Sequence, residues 1–382
     1  DSNGNLSQVT DAGGGVTVYT YDTSHRMLTI KDPRNITNLV NEYDADGRIM
    51  KQTLADGGIY QFTYAEDGNG KIIRTDLVNP RGNMRKVTFN SAGYILSNVE
   101  ASGKPEQQTT TITRDASTNF VSASVDPLGR KSTYTYDAAG NVKTATRLAD
   151  TAQAVTTSYS YEPTFNQLTA ITDPLGHSTS FAYDGAGNLT AITDALNHTV
   201  ASITYNTAGQ PLTVTDALDH MTTFGYMGGD LRTVTDALSR TMNSYTDSVG
   251  RVVSVTDPLN NRTFYEYDAL TRLVKITDPL GNTVNLAYDQ NNNLTSYTDP
   301  RGGATIYTYD NKNNVATRKD PLLKTESFAY DKSDNLITHT DRKAQINRFQ
   351  YDALGRRTLS TFKTGTTSCI TDPGLVPGST LP

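Results

Sequence analysis

Three histidines at equivalent positions are the first candidates for chemistry, because clustered imidazoles bind metal ions. His177, His198 and His220 each follow an aspartate by four residues, and Arg240 takes the same position next along the chain. Zinc holds its ligand atoms about 2 Å away, whereas equivalent positions on successive hairpins of a sheet are separated by roughly 9.5 Å. The spacing therefore argues against a shared zinc site and favours a polar ladder exposed to solvent.

Carboxylates are the second candidates, since aspartates recur throughout the chain and acidic loops bind calcium. The segment from Asp44 to Gly47 is similar to the start of such a loop. The residues after it lack the remaining oxygen ligands and the terminal glutamate that a calcium loop requires. We therefore interpret the recurring aspartates as turn-capping groups and predict no metal site.

Signals for covalent catalysis and for phosphate binding are weak. Cys369 is the single cysteine, and no Gly-x-Ser-x-Gly elbow occurs. The glycine runs at 13–15 and 228–229 are not followed by the Lys-Ser/Thr pair or by the helix that a phosphate loop needs. We predict that the chain is not an enzyme, and we assign it no catalytic residue and no cofactor.

The aspartates recur because the chain is a repeat array. One set advances in five consecutive steps of 21 residues: Asp236, Asp257, Asp278, Asp299, Asp320 and Asp341. A second set advances by the same step: Asp268, Asp289, Asp310, Asp331 and Asp352. A fixed period between about 20 and 50 residues is the mark of repeat architecture, and the chain holds about 16 such repeats.

Composition favours a thin, strand-rich fold and argues against several partners. The 382 residues include 22 tyrosines and no tryptophan, so tyrosine and threonine must supply much of the packing. The net charge is -6 and residues of both signs are interspersed, whereas nucleic acid binding needs a concentrated basic surface. No window approaches the length of about 18 consecutive apolar residues that spans a membrane, so we predict no membrane insertion.

Two turn motifs alternate along the repeats and predict the fold class. Asp-x-x-Gly-Asn, as at 184–188, has Gly where a three-residue hairpin loop is left-handed, and Asp-Pro-Leu-Gly, as at 173–176, is typical of a type I turn. Between the turns lie segments of about six residues rich in Thr, Val, Ile and Tyr. We predict an all-β, long antiparallel hairpin array. Because adjacent strands rotate by about 20 to 25°, the array must coil into a spiral shell, a tube or a cage wall.

Aromatic residues occur in pairs at i and i+2, such as Phe181 and Tyr183, which places both rings on one face of a strand. Ring faces also stack on sugars, so glycan binding is an alternative to packing within the wall; the regular pairing favours packing. Leu189 and Ile192 are three residues apart, and they cannot share a face of a regular strand. Either a bulge lies between them or both faces of the sheet are partly covered.

The repeats extend over residues 1–362, with irregular spacing between 64 and 161, where extra residues lengthen the loops. Asp1 matches Asp184, so the array starts within a repeat, and we expect a fragment or a processed product of a longer protein. Residues 363–382 are rich in Gly, Pro, Ser and Thr. We interpret them as a flexible C-terminal tail or an artificial extension.

Four segments, 136–142, 183–189, 267–273 and 351–357, begin with Tyr-Asp and share the same turn phase. They resemble the YD repeat of the Rhs (rearrangement hot spot) family, which includes bacterial Rhs and contact-dependent toxins, cocoon components of insecticidal toxin complexes and animal teneurins. The structural signature positions are Tyr136, Asp137, Gly140, Asn141, Tyr183, Asp184, Gly187, Asn188, Tyr267, Asp268, Tyr288, Asp289, Tyr309, Asp310, Tyr330, Asp331, Tyr351 and Asp352.

The resemblance implies a strip of β-strands that spirals into a hollow shell, which in bacterial members encloses a C-terminal toxin polypeptide and is carried by a secretion system. This sequence departs from the family in two respects. The core segment that closes the shell, with its aspartyl self-cleavage motif Asp-Pro-x-Gly-Leu, is not found, and Asp372 to Leu375 is one residue short of that motif. No toxin domain follows the repeats within these 382 residues.

Three hypotheses about function follow. The leading one is a non-catalytic β-shell segment of a secreted toxin or surface protein, whose partners are an enclosed or presented toxin polypeptide and flanking Rhs segments. The alternative is an extracellular module for glycan binding or cell adhesion. The third is a structural protein that forms fibres by end-to-end self-association through unpaired end strands. All three place the chain outside the cell or at the cell surface.

Overall fold

The computed structural model describes residues 1–363 and 369–371. Within these residues, every regular element is a β-strand, and 34 strands follow one another along the chain. The predicted all-β array of antiparallel hairpins is therefore confirmed. Among the described residues, no helix has the length and the hydropathy needed to cross a membrane.

Most strands have five to seven residues, and short turns join them. The strands up to residue 193 are β1 (Gln8–Thr10), β2 (Val16–Tyr21), β3 (Met27–Lys31), β4 (Thr37–Tyr43), β5 (Ile49–Leu54), β6 (Ile59–Glu66), β7 (Ile72–Val78), β8 (Met84–Phe89), β9 (Ile95–Glu100), β10 (Gln108–Arg114), β11 (Val121–Val125), β12 (Lys131–Tyr136), β13 (Val142–Arg147), β14 (Val155–Tyr161), β15 (Leu168–Thr172), β16 (Ser178–Tyr183) and β17 (Leu189–Thr193).

The remaining strands continue the same pattern. They are β18 (Thr199–Tyr205), β19 (Pro211–Asp216), β20 (Met221–Met227), β21 (Asp230–Thr235), β22 (Thr241–Thr246), β23 (Val252–Thr256), β24 (Arg262–Tyr267), β25 (Leu273–Thr277), β26 (Thr283–Tyr288), β27 (Leu294–Thr298), β28 (Ala304–Tyr309), β29 (Val315–Lys319), β30 (Thr325–Tyr330), β31 (Leu336–Thr340), β32 (Ile346–Tyr351), β33 (Arg357–Lys363) and β34 (Cys369–Thr371).

Strands that are neighbours in the chain pair in antiparallel fashion, and the strands belong to one sheet. In the hairpin of β16 and β17, Ser180 pairs with Thr193, and β17 then pairs with β18 through Ala191 and Ser202. Thr, Val, Ile and Tyr fill these strands because branched and aromatic side chains pack well on a pleated surface. Each strand therefore finds its partner within a few residues along the chain.

In most hairpins a β-bulge shifts the register just before the repeat tyrosine. In β16 and β17, Phe181 pairs with Ile192, and the register then shifts by one residue so that Tyr183 pairs with Leu189. Because directly paired residues share a face, both apolar residues of β17 lie on the face of the two rings. Of the two explanations for the three-residue spacing of Leu189 and Ile192, the bulge is the one found.

Few side chains are fully buried, as expected for a fold without one deep core. Among the described residues, three apolar side chains are buried, and all are alanines: Ala101, Ala123 and Ala149. The buried polar side chains are Asp32, Asn41, Ser254, Glu326 and Ser360. Strand pairing, rows of half-buried side chains and hydrogen bonds in the turns therefore hold the array together.

The chain divides into two compact units. The first comprises Asp1–Thr109, Glu266–Ile276 and Asn282–Pro382, and the second comprises Thr110–Tyr265 and Thr277–Gly281. Hairpins from the beginning and from the last third of the sequence thus belong to the same unit. The second unit holds most of the hairpins that lie between these two parts in the sequence.

Longer loops account for two of the long steps between 64 and 161, and the longer strands β6 and β7 account for the step from Tyr64 to Phe89. Residues 101–107 separate β9 from β10, and residues 148–154 separate β13 from β14. Ala101 and Leu148 begin these loops with positive φ values of +49° and +52°. The extra residues stay in the loops, and β13 and β14 keep a continuous register.

The last strand lies in the segment that was interpreted as a tail. β34 pairs with β33, with Ile370 opposite Phe362. Residues 364–368 and 372–382 lie outside the described residues, as do the side chain of Cys369 and the motif from Asp372 to Leu375. The boundary between array and tail at 362/363 therefore remains a prediction.

Candidate functional site: the repeat turns and the contact between their edges

Most repeat turns are built on a side-chain oxygen of their first residue, which is usually an aspartate carboxylate and in some turns an amide, as at Asn206. Asp184 Oδ1 accepts hydrogen bonds from the amides of Ala186 and Asn188, both at 2.9 Å, and Oδ2 accepts one from Asn188 Nδ2 at 3.0 Å. Gly187 has a φ of +85°, the left-handed conformation that closes a three-residue hairpin loop. Turns of this kind, which follow the repeat tyrosine, are called YD turns below.

The other signature turns have the same geometry. Asp137 is bonded to Asn141 in the same way, with Gly140 at a φ of +91°. In later repeats other residues adopt the left-handed conformation, such as Asn292 at +68° and Thr271 at +63°. The remaining signature carboxylates also accept bonds from the amides two and four residues later: Asp268, Asp289, Asp310, Asp331 and Asp352.

The Asp-Pro-Leu-Gly motif forms the same turn despite its different sequence. Asp173 Oδ1 accepts hydrogen bonds from the amides of Leu175 at 2.8 Å and His177 at 2.9 Å, and Gly176 has a φ of +86°. We call turns at this position DP turns and their third residue, here Leu175, the tip residue. The two edges of the sheet therefore share one backbone geometry and differ in their side chains.

The histidines occupy the fifth position of DP turns. The Nδ1 atoms of His177 and His220 lie 3.0 Å from the carboxylate of their own turn, and that of His198 lies 3.3 Å away. Arg240 pairs with Asp236 in the same way at 2.6 Å. Each side chain thus contacts its own aspartate. Within residues 1–363, no group of three or more His, Cys, Asp or Glu residues is arranged to hold a metal ion.

The segment from Asp44 to Gly47 is a YD turn closed by an arginine. Arg48 Nε lies 2.8 Å from the carboxylate of Asp44, and Nη2 lies 2.6 Å from that of Asp46. The same guanidinium also contacts Glu66. The carboxylates that are similar to the start of a calcium loop are therefore paired with one cation.

The turn bonds favour the charged form of the aspartates. The side-chain hydrogen bond from Asn188, together with backbone amides, holds the pKa of Asp184 below its ordinary value. The side chain of Arg240 lowers the pKa of Asp236 in the same way. The ionised carboxylate thus stabilises these two turns.

The repeat tyrosine bonds to the preceding strand, and the signature tyrosines stand at the ends of their strands. Tyr183 Oη donates a hydrogen bond to the carbonyl of Leu168 at 2.8 Å. We call this bond the tyrosine staple; it satisfies a phenol whose ring is half-buried. Among the described residues, at least twelve tyrosines make it at 2.6 to 3.2 Å: Tyr21, Tyr43, Tyr64, Tyr136, Tyr161, Tyr183, Tyr205, Tyr226, Tyr288, Tyr309, Tyr330 and Tyr351.

In the first unit, DP turns from the beginning of the chain touch YD turns from its last third. Asp32, 5% exposed, accepts a hydrogen bond from Asn291 Nδ2. The tip residue Arg34 donates to the carbonyls of Asp310 at 3.2 Å and Asn311 at 3.3 Å. These bonds join residues that are 259 to 277 positions apart in the chain. We call this set of interactions the edge contact.

Two further turns extend the edge contact within the same unit. The tip residue Arg81 places Nε 3.3 Å from the carboxylate of Asp331, and its Nη2 donates to the carbonyl of Tyr351 at 2.8 Å. The tip residue Asp56 lies 3.6 Å from Lys312 Nζ. Charges on one edge are thus compensated by groups on the other.

The tip residues of the edge contact were missed by reasoning from the sequence. Arg34, Asp56 and Arg81 stand where other DP turns carry leucine, so a departure from the motif was visible in each case. The partners could not be identified, because no local rule connects positions 259 to 277 residues apart. The signature positions, in contrast, define the turns and do not themselves form one clustered site.

Comparison with known proteins supports the repeat assignment. The RHS Repeat family model matches residues 1–37, 114–153, 163–199, 247–283 and 288–323. No curated protein sequence matches the chain.

Several solved structures share the fold. The TcdB2-TccC3 structure is 17% identical with a TM-score of 0.64, and the match covers 93% of this chain and 23% of that one. The TcdB2-TccC3-Cdc42 structure is 17% identical with a TM-score of 0.63, and the match covers 92% of this chain and 22% of that one. The Photorhabdus luminescens Tc holotoxin pore is 18% identical with a TM-score of 0.63, and the match covers 94% of this chain and 22% of that one.

The chain therefore spans less than a quarter of the length of these structures, and at this identity the likeness concerns the fold. The periodic Tyr-Asp signature, the shared geometry of its turns and the five matched segments agree with one another. Together they show that these five segments are Rhs repeats.

Proposed function

We propose that this chain is a shell segment whose task is to enclose or present another polypeptide, as a toxin polypeptide would be in a bacterial member of the family. The edge contact is the observation that supports this proposal. Hairpins 259 to 277 residues apart touch through opposite edges, so within this unit the strip returns to itself. A strip whose passes meet edge to edge can form a continuous wall.

The chemistry of the edge contact suits a seal between passes of a wall. The side chain of Asp32 is 4% exposed and that of Arg34 is 16% exposed. A buried charge is costly unless it is paired. Asp32 and Arg34 pair with each other within their own turn at 3.3 Å, and both also bond to polar groups of the facing turns. We therefore propose that these groups set the register of the two edges as well as closing the gap.

Flanking Rhs segments are the second proposed partner, and leucine tip residues support it. Seven DP turns of the second unit carry a leucine at the tip that is 72 to 87% exposed: Leu128, Leu175, Leu196, Leu218, Leu238, Leu259 and Leu280. A regular row of exposed leucines marks an interaction surface. Because DP turns of the first unit receive YD turns, we propose that this row receives YD turns of flanking repeats.

We also propose a non-catalytic role outside the cell or at the cell surface. The recurring carboxylates are engaged in turn bonds and the repeat hydroxyls in staples, so both groups act in the fold. The likeness to Tc toxin structures supports delivery beyond the producing cell.

The experiment that tests enclosure is protease protection in the complete natural polypeptide that contains this chain. We expect the enclosed segment to resist protease and to become sensitive in the double variant Asp32→Ala, Arg81→Ala, because both substitutions open the edge contact. Asp194→Ala is the matched control, since it removes the same turn bonds in the second unit and should leave protection intact. The proposal would be contradicted if the segment were digested equally in all three proteins, or if it were already digested in the unaltered protein.

The two other hypotheses are tested separately. Glycan binding predicts a saturable signal on a glycan array that is lost when a ring of the aromatic rows is removed. Fibre formation predicts sedimentation that grows with concentration and stops when the end strand β1 is blocked, for example by Val9→Pro.

A further inference from the structure

One repeat of the second unit lacks the tyrosine that forms the staple. β22 ends in Thr246, which pairs with Val252 just as Tyr183 pairs with Leu189 in the regular hairpin. Ser244 correspondingly takes the place of the first aromatic residue of the pair. Both rings of the repeat are therefore replaced by small hydroxyl side chains.

The missing ring leaves an apolar residue uncovered. Leu231 pairs with Tyr226 as Leu189 pairs with Tyr183, so Leu231 is the residue whose carbonyl a tyrosine at 246 would reach. Leu231 is exposed, with 40% of its surface accessible. Leu189, which lies under the staple of the next repeat, is less exposed.

A cavity of about 370 Å³ lies at this place, and both Leu231 and Thr246 line it. The two residues that a staple would join thus face the same open volume. Met227 adds a second apolar group to the lining. The position and the lining indicate that the cavity is the space left by the absent tyrosine ring.

The polar groups of the cavity are suited to a hydroxyl at its edge. Asp230 Oδ2 accepts a hydrogen bond from Thr246 Oγ1 at 2.7 Å, and the carboxylate lines the cavity. On another side, the Arg232 guanidinium carbon lies 3.2 Å from the ring centroid of Tyr245. Arg232 also donates to the carbonyl of Ser244 at 2.5 Å, so this wall is held in place.

We propose that this cavity binds a phenol ring, either a free phenol or the tyrosine side chain of a polypeptide. The ring would occupy the place that a tyrosine of this chain fills in twelve other repeats, with its hydroxyl directed at the carbonyl of Leu231. The apolar lining covers the ring faces, and the carbonyl of Leu231 accepts the hydroxyl proton. The proposal is independent of the enclosure of a polypeptide, because it rests on one hairpin of the second unit.

The test uses four probes on the full chain and follows the methyl NMR signals of Leu231 and Thr246. The probes are p-cresol and N-acetyltyrosinamide, with toluene and N-acetylphenylalaninamide as partners that lack the hydroxyl. We expect saturable shifts with p-cresol and weaker binding of toluene, because toluene cannot bond to the carbonyl. Thr246→Tyr should weaken p-cresol binding by about tenfold or more, since the variant fills the cavity with its own ring.

A gain of binding provides the matched control. Tyr183→Thr makes the same vacancy in a regular repeat and should create a second p-cresol site beside Leu168. Binding of p-cresol but not of N-acetyltyrosinamide would assign the site to free phenols, whereas binding of both would assign it to tyrosine side chains as well. The proposal is overturned if no probe shifts the Leu231 signal, if toluene binds as well as p-cresol, or if Thr246→Tyr leaves binding unchanged.

Discussion

The DP turns near the start of the chain and the DP turns of the second unit share one backbone and differ at the tip. In the first unit, Arg34 and Arg81 occupy the tip and bond to YD turns far along the chain. In the second unit, the same position holds leucines such as Leu196, which is 74% exposed. The aspartate that opens the turn bonds to the amide four residues later in both regions, as in Asp32 with Ile36.

This difference shows that the repeat separates two tasks. The first residue of most turns bonds to the backbone of the turn through its side chain, as Asp32 and Asp173 do, so it is similar in the two regions. The tip residue makes no side-chain bond that the turn requires, and it is free to match whatever covers the edge. Polar tips suit carbonyls and carboxylates, and leucine tips suit an apolar cover.

Acid should have the largest effect, because it acts on the part that both regions share. The pKa values of Asp184 and Asp236 are lower in the folded chain than the ordinary value of 3.8. Their contribution to stability is therefore present above that value and is lost as pH falls through the folded pKa values. We expect the urea midpoint, followed by circular dichroism, to be level near neutrality and to fall below about pH 4. A midpoint that rises on acidification would contradict the role given to the carboxylates.

Asp32→Ala should destabilise the first unit more than Asp194→Ala destabilises the second. Both substitutions remove the turn bonds, but only Asp32 is buried against Asn291 in the edge contact. We expect Asp32→Ala to lower the free energy of unfolding by about 2 to 4 kcal/mol, since it leaves buried donors unpaired. Hydrogen exchange at the turn amides measures each unit separately. Equal losses would show that the edge contact adds nothing.

Substitution of the tip residue isolates the difference between the two regions. Arg34→Ser removes two bonds to backbone carbonyls and the ion pair with Asp32, and it should lower the free energy of unfolding by about 1 to 2 kcal/mol. Leu196→Ser should change it by less than about 0.5 kcal/mol, because the leucine is exposed. Chemical denaturation of both variants provides the measurement. A large loss in Leu196→Ser would mean that the leucine row already packs within the chain.

Tyr183→Phe should have the smallest effect among the substitutions that remove a hydrogen bond, and its effect should be similar in any stapled repeat. It removes the hydrogen bond to the carbonyl of Leu168 but keeps the ring, so we expect a loss of about 1 kcal/mol. Tyr134→Phe is the control, because Tyr134 is the first ring of its pair and is not among the twelve described staples. Local hydrogen exchange in β15 and β16 should increase only in the first variant.

The sequence predicted the elements of this protein well and their distant partners poorly. The hairpins followed from alternating strand residues and from turn motifs that close within five residues, such as 184–188. The bulge was left as one of two alternatives, because spacing alone cannot separate a shifted register from a covered face. The staple was not anticipated, since the hydroxyl of Tyr183 reaches a carbonyl in the preceding strand and no turn rule describes it.

By itself, the sequence determined the all-β hairpin array, its period and the role of the aspartates, because these depend on bonds between residues close in the chain. Only the tertiary structure decided which turns meet in the edge contact, since those bonds join residues 259 to 277 positions apart. It also decided that the loss of a tyrosine at Thr246 leaves a cavity rather than a collapsed strand. In a sheet held by backbone pairing, one missing ring does not bring the neighbouring strands together.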